Sequence, residues 1–126
     1  MHEITATRNI LSLVLAEATK AGATRVTRVS LKAGEWSTFD PECIEFCFRV
    51  LAQGTPAEGA QLAIERTRVR FRCGSCGLEY SPMDGKFHCP GCSTGVGDLI
   101  GGRELFVDSI EVQHADTGGS KGVSRE

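Results

Sequence analysis

The chain has 126 residues, a formal net charge of −2 and 24% charged residues, a size that suits one ordinary domain, or a small core joined to a metal-stapled module too short to stand on burial alone. That balance gives no general electrostatic pull toward nucleic acid or anionic membrane. Charges such as Glu17 and Arg49 interrupt the longest apolar stretches, and the opening Met-His-Glu-Ile-Thr has neither the basic start nor the apolar run of a signal peptide, so no membrane insertion is expected and the chain reads as soluble and cytoplasmic.

In chain order, Ile10, Leu13, Val14 and Ala18 recur at helical spacing, with Leu11 and Leu15 widening the stripe and Gly22 placed to end it, which predicts a first helix from near Ile4 to Lys20. Thr24 to Lys32 alternates, Thr27, Val29 and Leu31 against Arg28, Ser30 and Lys32, as a half-buried strand does. Asp40-Pro41 starts a second helix with a mechanism: the carboxylate caps free amides and proline occupies the first turn, where its missing N–H costs nothing. Ile44, Cys47, Phe48 and Leu51 form its buried stripe and Gly54 ends it. Leu62 and Ile64 then share one strand face and Val69 and Phe71 the other, so the parity slips near Arg66, at a bulge or where the strand leaves the core. Glu104 to Val112 reads as a returning strand.

The expected fold class is α+β, a small three-stranded sheet with two helices and an inserted zinc-ribbon-like domain. Its boundaries are 1–70 and 103–112 for the main domain, 71–102 for the insertion and 113–126 for a polar, glycine-bearing flexible tail.

The most specific chemistry lies in two Cys-x-x-Cys pairs, Cys73/Cys76 and Cys89/Cys92, separated by twelve residues. The two residues inside each pair let the backbone turn so that both sulfurs face one point, and Gly74 and Gly77 tolerate the positive φ that such a turn can require. Four converging thiolates suit structural zinc. Iron suits them too and would colour the protein red, whereas two disulfides would need an oxidising compartment.

A second candidate is Met1-His2-Glu3. With a free terminus, the α-amine of Met1, the amide nitrogen of His2 and its Nδ1 close fused five- and six-membered chelate rings, a strong nitrogen donor set that favours tetragonal Ni(II) or Cu(II). Glu3 offers a fourth position through its amide or carboxylate. The glycine-rich stretch around Gly95-Val96-Gly97 lacks a phosphate-loop ending, and no acid–base pair or nucleophile setting is recognisable, so neither a catalytic residue nor an organic cofactor is assigned.

Met1-His2-Glu3 opening an amphipathic helix, Gly34-Glu35 after the first strand, Pro41 and Phe48 on the second helix and Gly54-Thr55-Pro56-Ala57-Glu58-Gly59-Ala60 follow one another in a familiar order. With the two cysteine pairs and Gly102-Arg103-Glu104-Leu105, the chain closely resembles, over roughly residues 1 to 112, the HypA/HybF family of hydrogenase nickel-insertion proteins. The resemblance implies a nickel metallochaperone rather than an enzyme, with His2 as nickel ligand, Glu3 and Met1 beside it, and Cys73, Cys76, Cys89 and Cys92 on structural Zn(II). It implies as partners a HypB-type GTPase, the hydrogenase large subunit precursor and, in some organisms, urease maturation proteins. Ile4-Thr5 departs from the commoner aliphatic-or-aromatic then serine pair but keeps one apolar and one hydroxyl side chain.

Other residues carry competing roles. Asp40 is a helix cap, and an oxygen donor as well if helix 2 starts beside the N-terminus. His88, next to Cys89, is a loop histidine or an exchangeable zinc ligand. Cys43 and Cys47, one turn apart, read as core packing rather than a redox pair. Trp36 and Phe39 either cover the core or face a partner. The alternative function is a zinc-ribbon nucleic-acid-binding or regulatory module: on a regular strand Arg66, Arg68, Arg70 and Arg72 would line one face and track phosphates.

Overall fold

The structure, a computed structural model, describes residues 2–114 and the backbone of 121–125; of His2 it describes the backbone alone. Helix α1 spans His2–Lys20 and buries the expected stripe of Ile10, Leu11, Val14 and Ala18. Thr7, also buried, satisfies its hydroxyl by donating to the Glu3 carbonyl one turn back, at 2.5 Å. The helix stops in a Schellman arrangement: Gly22 sits at φ 69, its N–H bonds the Thr19 carbonyl at 3.0 Å, and the Ala23 N–H bonds that of Ala18 at 2.9 Å.

Helix α2 spans Pro41–Leu51, and Asp40 caps it from an extended conformation by accepting the Glu42 N–H at 3.1 Å. Ile44 and Phe48 are buried on α2, whereas Cys43 and Cys47 are half-buried. Both cysteines therefore lie at the rim of the core rather than inside it.

Strand β1 (Arg25–Gly34) buries Val29, Leu31 and Ala33 at alternate positions, and Val26 out of step with them. With β2 (Gln61–Thr67), β6 (Leu105–Gln113) and β7 (Lys121–Arg125) it forms a sheet of order β2-β1-β6-β7. The three expected strands are thus joined by a fourth. β7 pairs antiparallel to β6, from Ser109 opposite Arg125 to Gln113 opposite Lys121, so part of the expected tail supplies backbone partners to what would otherwise be a bare sheet edge. A second sheet, order β4-β3-β5, holds β3 (Arg70–Arg72), β4 (Glu79–Tyr80) and β5 (Asp98–Gly101). The parity slip near Arg66 is the place where the chain passes from one sheet to the other.

The chain divides into two compact units. The first comprises residues 1–32, 39–65 and 106–126, and the second residues 33–38 and 66–105. No described helix is long and apolar enough to cross a membrane.

In the second unit the segment after β1 is fastened by its backbone. Gly34 N–H donates to the Glu104 carbonyl at 2.7 Å, Trp36 N–H to that of Gly102 at 2.7 Å and Glu35 N–H to that of Thr67 at 2.8 Å. Side chains reinforce the arrangement: the Val69 N–H donates to Glu35 Oε2 at 2.8 Å, and the Glu104 carboxylate accepts the Thr67 hydroxyl at 2.6 Å and the Gly102 N–H at 2.7 Å. Those two donors hold the Glu104 carboxyl well below the ordinary range, at about 2.

Because the folded value lies below the unfolded one, this contribution is full above the unfolded pKa of about 4.3 and fades as pH falls toward about 2. We expect Glu104→Gln to lower stability by about 1–2 kcal/mol at neutral pH and to flatten the acid limb of the unfolding curve. Denaturant midpoints measured from pH 6 to pH 2 check this; parallel curves for the two proteins would contradict it.

Candidate metal centres

Two short turns build the four-cysteine site, and each repeats the other. In the first, the Gly77 N–H bonds the Cys73 carbonyl at 3.0 Å and the Ser75 N–H points at Cys73 Sγ at 3.4 Å. In the second, the Ser93 N–H bonds the Cys89 carbonyl at 3.0 Å and the Gly91 N–H points at Cys89 Sγ at 3.3 Å. Both turns leave through a left-handed residue, Gly77 at φ 78 and Ser93 at φ 59. Gly74 does not share that conformation. A Cβ at Gly77 would meet nothing within 4 Å, so Gly77→Ala carries only the torsional cost of about 1–2 kcal/mol. Thermal unfolding of the metal-loaded protein should register that loss, and should find Ser93→Gly neutral or stabilised.

The four Sγ atoms lie within 4.8 Å of one another, with 3.6 Å from Cys73 to Cys92 and 3.6 Å from Cys76 to Cys89. A tetrahedron of sulfurs about 2.3 Å from a central zinc ion has edges of about 3.8 Å, whereas a disulfide would bring two sulfurs to about 2.05 Å. The donor set therefore fits a single tetrahedral cation. Cys73 and Cys89 are buried while Cys76 and Cys92 are exposed. Among the described residues this is the one group of three or more potential ligands gathered tightly enough to hold a metal.

Electrostatics in the cluster are those of thiols competing for too few protons. The backbone N–H of Cys76, then the Thr94 hydroxyl and the Ser75 N–H, draw Cys73 down to about 6. The Cys92 N–H chiefly lowers Cys89. Cys76 receives the Leu78 N–H, which acts downward, but its hydrogen bond with Cys89, burial and the other thiols together push it up to about 11. Cys73 and Cys89 are thus drawn toward the thiolate form while Cys76 holds its proton, and charging Cys76 beside them calls for a cation. Thr94, which the spacing argument passed over, belongs to the surroundings of the site: its hydroxyl is 2.9 Å from Cys92 Sγ and 3.6 Å from Cys73 Sγ. Its only signal in sequence is its position two residues beyond the last cysteine.

His88 is exposed, bridges to Val96 through its backbone and is not among the gathered ligands. The arginine row is not a continuous track. β2 ends at Thr67 and β3 begins at Arg70; Arg66 donates to the Glu35 carbonyl at 3.2 Å, Arg68 to that of Pro82 at 2.9 Å, and Arg70 and Arg72 both meet Glu79, at 3.7 and 2.6 Å. The cations that the nucleic-acid reading needed are already engaged.

At the other candidate site, Met1 lies outside the described residues, and the backbone of His2 opens α1. Glu3 Oε2 accepts the Asp40 N–H at 3.3 Å, which brings the start of α1 beside the start of α2. Glu3's own N–H and that of Asp40 hold its carboxyl below the ordinary range. Asp40 thus caps α2 through its carboxylate, and its backbone N–H meets Glu3.

The family model described as "Hydrogenase/urease nickel incorporation, metallochaperone, hypA" matches residues 1–112. The chain belongs to the HypA family. The hydrogenase maturation factor HypA of Dehalococcoides mccartyi strain CBDB1 is 36% identical over 112 residues, covering 89% of this chain and 94% of that protein. That of Geobacter metallireducens is 39% identical over 114 residues, covering 90% of this chain and all of the relative. In fold the chain resembles the nickel metallochaperone HypA from Helicobacter pylori, with a TM-score of 0.68 at 22% identity over 89% of this chain and 97% of that one. A second HypA solution structure gives 0.73 at 24% identity, over 89% of this chain and 96% of that one. The chain therefore pairs membership of a metallochaperone family, which is not a family of enzymes, with a four-cysteine site that fits zinc.

Proposed function

We propose that this protein carries Ni(II) on its leading residues and delivers it to the large subunit of a [NiFe]-hydrogenase during maturation, with Zn(II) on Cys73, Cys76, Cys89 and Cys92 as a structural ion. The observation that carries the reading is the family match over residues 1–112, which includes both the leading triplet and the four cysteines. The ligands we assign to nickel are His2, with Met1 through its amine and Glu3 beside them. A cation held at a chain end by a few nitrogens can be surrendered without unfolding the donor, while one enclosed by four sulfurs keeps its unit rigid. Protons compete at the amine, amide and imidazole, so the nickel site is the weaker and more pH-sensitive of the two.

We place nickel with the first compact unit and zinc with the second. The partners that fit the reading are a HypB-type GTPase, the hydrogenase large subunit precursor and, where urease is present, its maturation proteins, all in the cytoplasm. Counting metals tests it: native protein should hold nickel and zinc, whereas His2→Ala, and a version extended by one residue before Met1, should lose nickel and keep zinc. Nickel retained by both variants would overturn the assignment.

A further inference from the structure

Thr94 reaches both turns of the four-cysteine site. Its hydroxyl lies 2.9 Å from Cys92 Sγ in the second turn and 3.6 Å from Cys73 Sγ in the first. Backbone bonds on either side fix its position. The Ser93 N–H, just before it, bonds the Cys89 carbonyl at 3.0 Å, and the Gly95 carbonyl, just after it, accepts the Cys89 N–H at 2.9 Å. The left-handed conformation of Ser93, at φ 59, turns the chain between them. Both neighbours of Thr94 are thus tied to Cys89, which is buried. A β-branched side chain on so restrained a backbone has little freedom left to lose when its hydroxyl meets a sulfur.

The contact distinguishes two sulfurs that are otherwise alike. Cys76 and Cys92 are the exposed cysteines of the site, so reagents in solvent reach them first. Cys92 Sγ has the Thr94 hydroxyl against it. Cys76 Sγ meets the Cys89 sulfur at 3.6 Å, and among the described residues no side-chain hydroxyl donates to it. A sulfur that holds a cation is a thiolate with no proton to give, so the hydroxyl is the donor. Such a charge-assisted bond occupies a lone pair and withdraws electron density, and a thiolate with less density to give is a poorer nucleophile.

We propose that Thr94 is a positioning residue of the four-cysteine site, whose hydroxyl shields Cys92 and leaves Cys76 as the sulfur at which soft electrophiles first open the site. Attack there joins an electrophilic carbon to Cys76 Sγ through the electron pair that the sulfur lends to the ion, and expels the leaving group from that carbon. The role rests on the reading that these cysteines hold Zn(II).

The test uses full-length protein whose zinc has been counted. Limiting iodoacetamide is added beside a zinc indicator, and the modified cysteine is mapped by mass spectrometry in molecules modified once. In the wild type Cys76 should react ahead of Cys92. Thr94→Val should speed Cys92 by about the 10–100-fold that loss of an outer-shell partner costs in metal affinity, with Cys76 little changed and zinc release quickened. Thr94→Ser keeps the hydroxyl and should restore the native order. Cys92 reacting first in the wild type, or no faster in Thr94→Val, overturns the role. An equal gain at all four cysteines overturns it too, since that marks a loosened fold. Trp36 emission checks folding, and Thr94→Ala replaces the valine variant should that fail. Protein purified without zinc would overturn the zinc reading and this role with it, whereas unchanged rates in zinc-loaded protein overturn the role of Thr94 alone.

Discussion

Stripping the ion from the four-cysteine site should unfold the second unit while leaving the helices of the first in place. The reason lies in what that unit buries. Its core cluster consists of Val69, Phe71, Cys73, Tyr80 and Cys89, with Leu99 against it, so two of the five buried side chains belong to the four gathered cysteines to which we assign zinc. Its strands are short, Arg70–Arg72, Glu79–Tyr80 and Asp98–Gly101, and so small a core cannot offset chain entropy alone. Structural zinc supplies apparent binding free energies of about 10–16 kcal/mol in comparable small modules, more than any side-chain contact here. Cys89→Ala should act like chelation, because Cys89 is 0% exposed and its loss removes a ligand and a core side chain together.

The protein carries its own reporter for this. Trp36 is the sole tryptophan; it packs edge-on to Phe71 at 6.0 Å and tilted against Phe87 at 6.2 Å, all within the second unit. Chelation should shift Trp36 emission to the red and collapse its near-ultraviolet dichroism, with the far-ultraviolet helix signal largely retained. Unchanged Trp36 emission in protein shown to be metal-free would mean that the aromatic cluster holds the unit by itself.

What could be read from the chain is what rests on local rules. Asp40-Pro41 and Gly22 mark helix ends because capping involves neighbouring residues, and the cysteine pairs announce their geometry because each closes a turn of its own. The features that stayed hidden depend on distant partners. Trp36 could be read as covering a core or facing a partner; its neighbours Phe71 and Phe87 are far along the chain, and at 45% exposure it still shows a face to solvent. Nothing in Lys121-Gly122-Val123-Ser124-Arg125 has the apolar alternation of a strand, because its pairing with β6 uses backbone groups that every sequence possesses. The arginine row misled for a related reason: alternation implies a common face only while one strand continues, and the chain changes sheets within it. The motifs Gly34-Glu35 and Gly102-Arg103-Glu104 pointed to the family without revealing that they bond to one another.

Their meeting makes Gly34→Ala the substitution with the largest expected cost outside the cysteines. A Cβ at Gly34 would overlap the carbonyl carbon and oxygen of Gly102 and crowd the Arg103 nitrogen at 2.6 Å. All three are backbone atoms, so no side chain can swing aside to make room. Relief requires the two segments to part, and that stretches the Gly34 to Glu104 and Trp36 to Gly102 hydrogen bonds, both 2.7 Å, and disturbs the Glu104 carboxylate that Gly102 helps to hold. Overpacking alone costs about 1–3 kcal/mol, and each buried backbone group left unpaired adds about 1–3 kcal/mol, so a loss of roughly 3 kcal/mol or more is expected. Gly77→Ala, whose new methyl meets open space, should cost well under that. Denaturant unfolding followed by Trp36 separates the two. Because Trp36 follows Gly34 by two residues and bonds Gly102 directly, the damage should also appear as a shifted emission maximum in the folded baseline, before any denaturant is added. A Gly34→Ala protein with native emission and midpoint would show that the two backbones do not cross this closely.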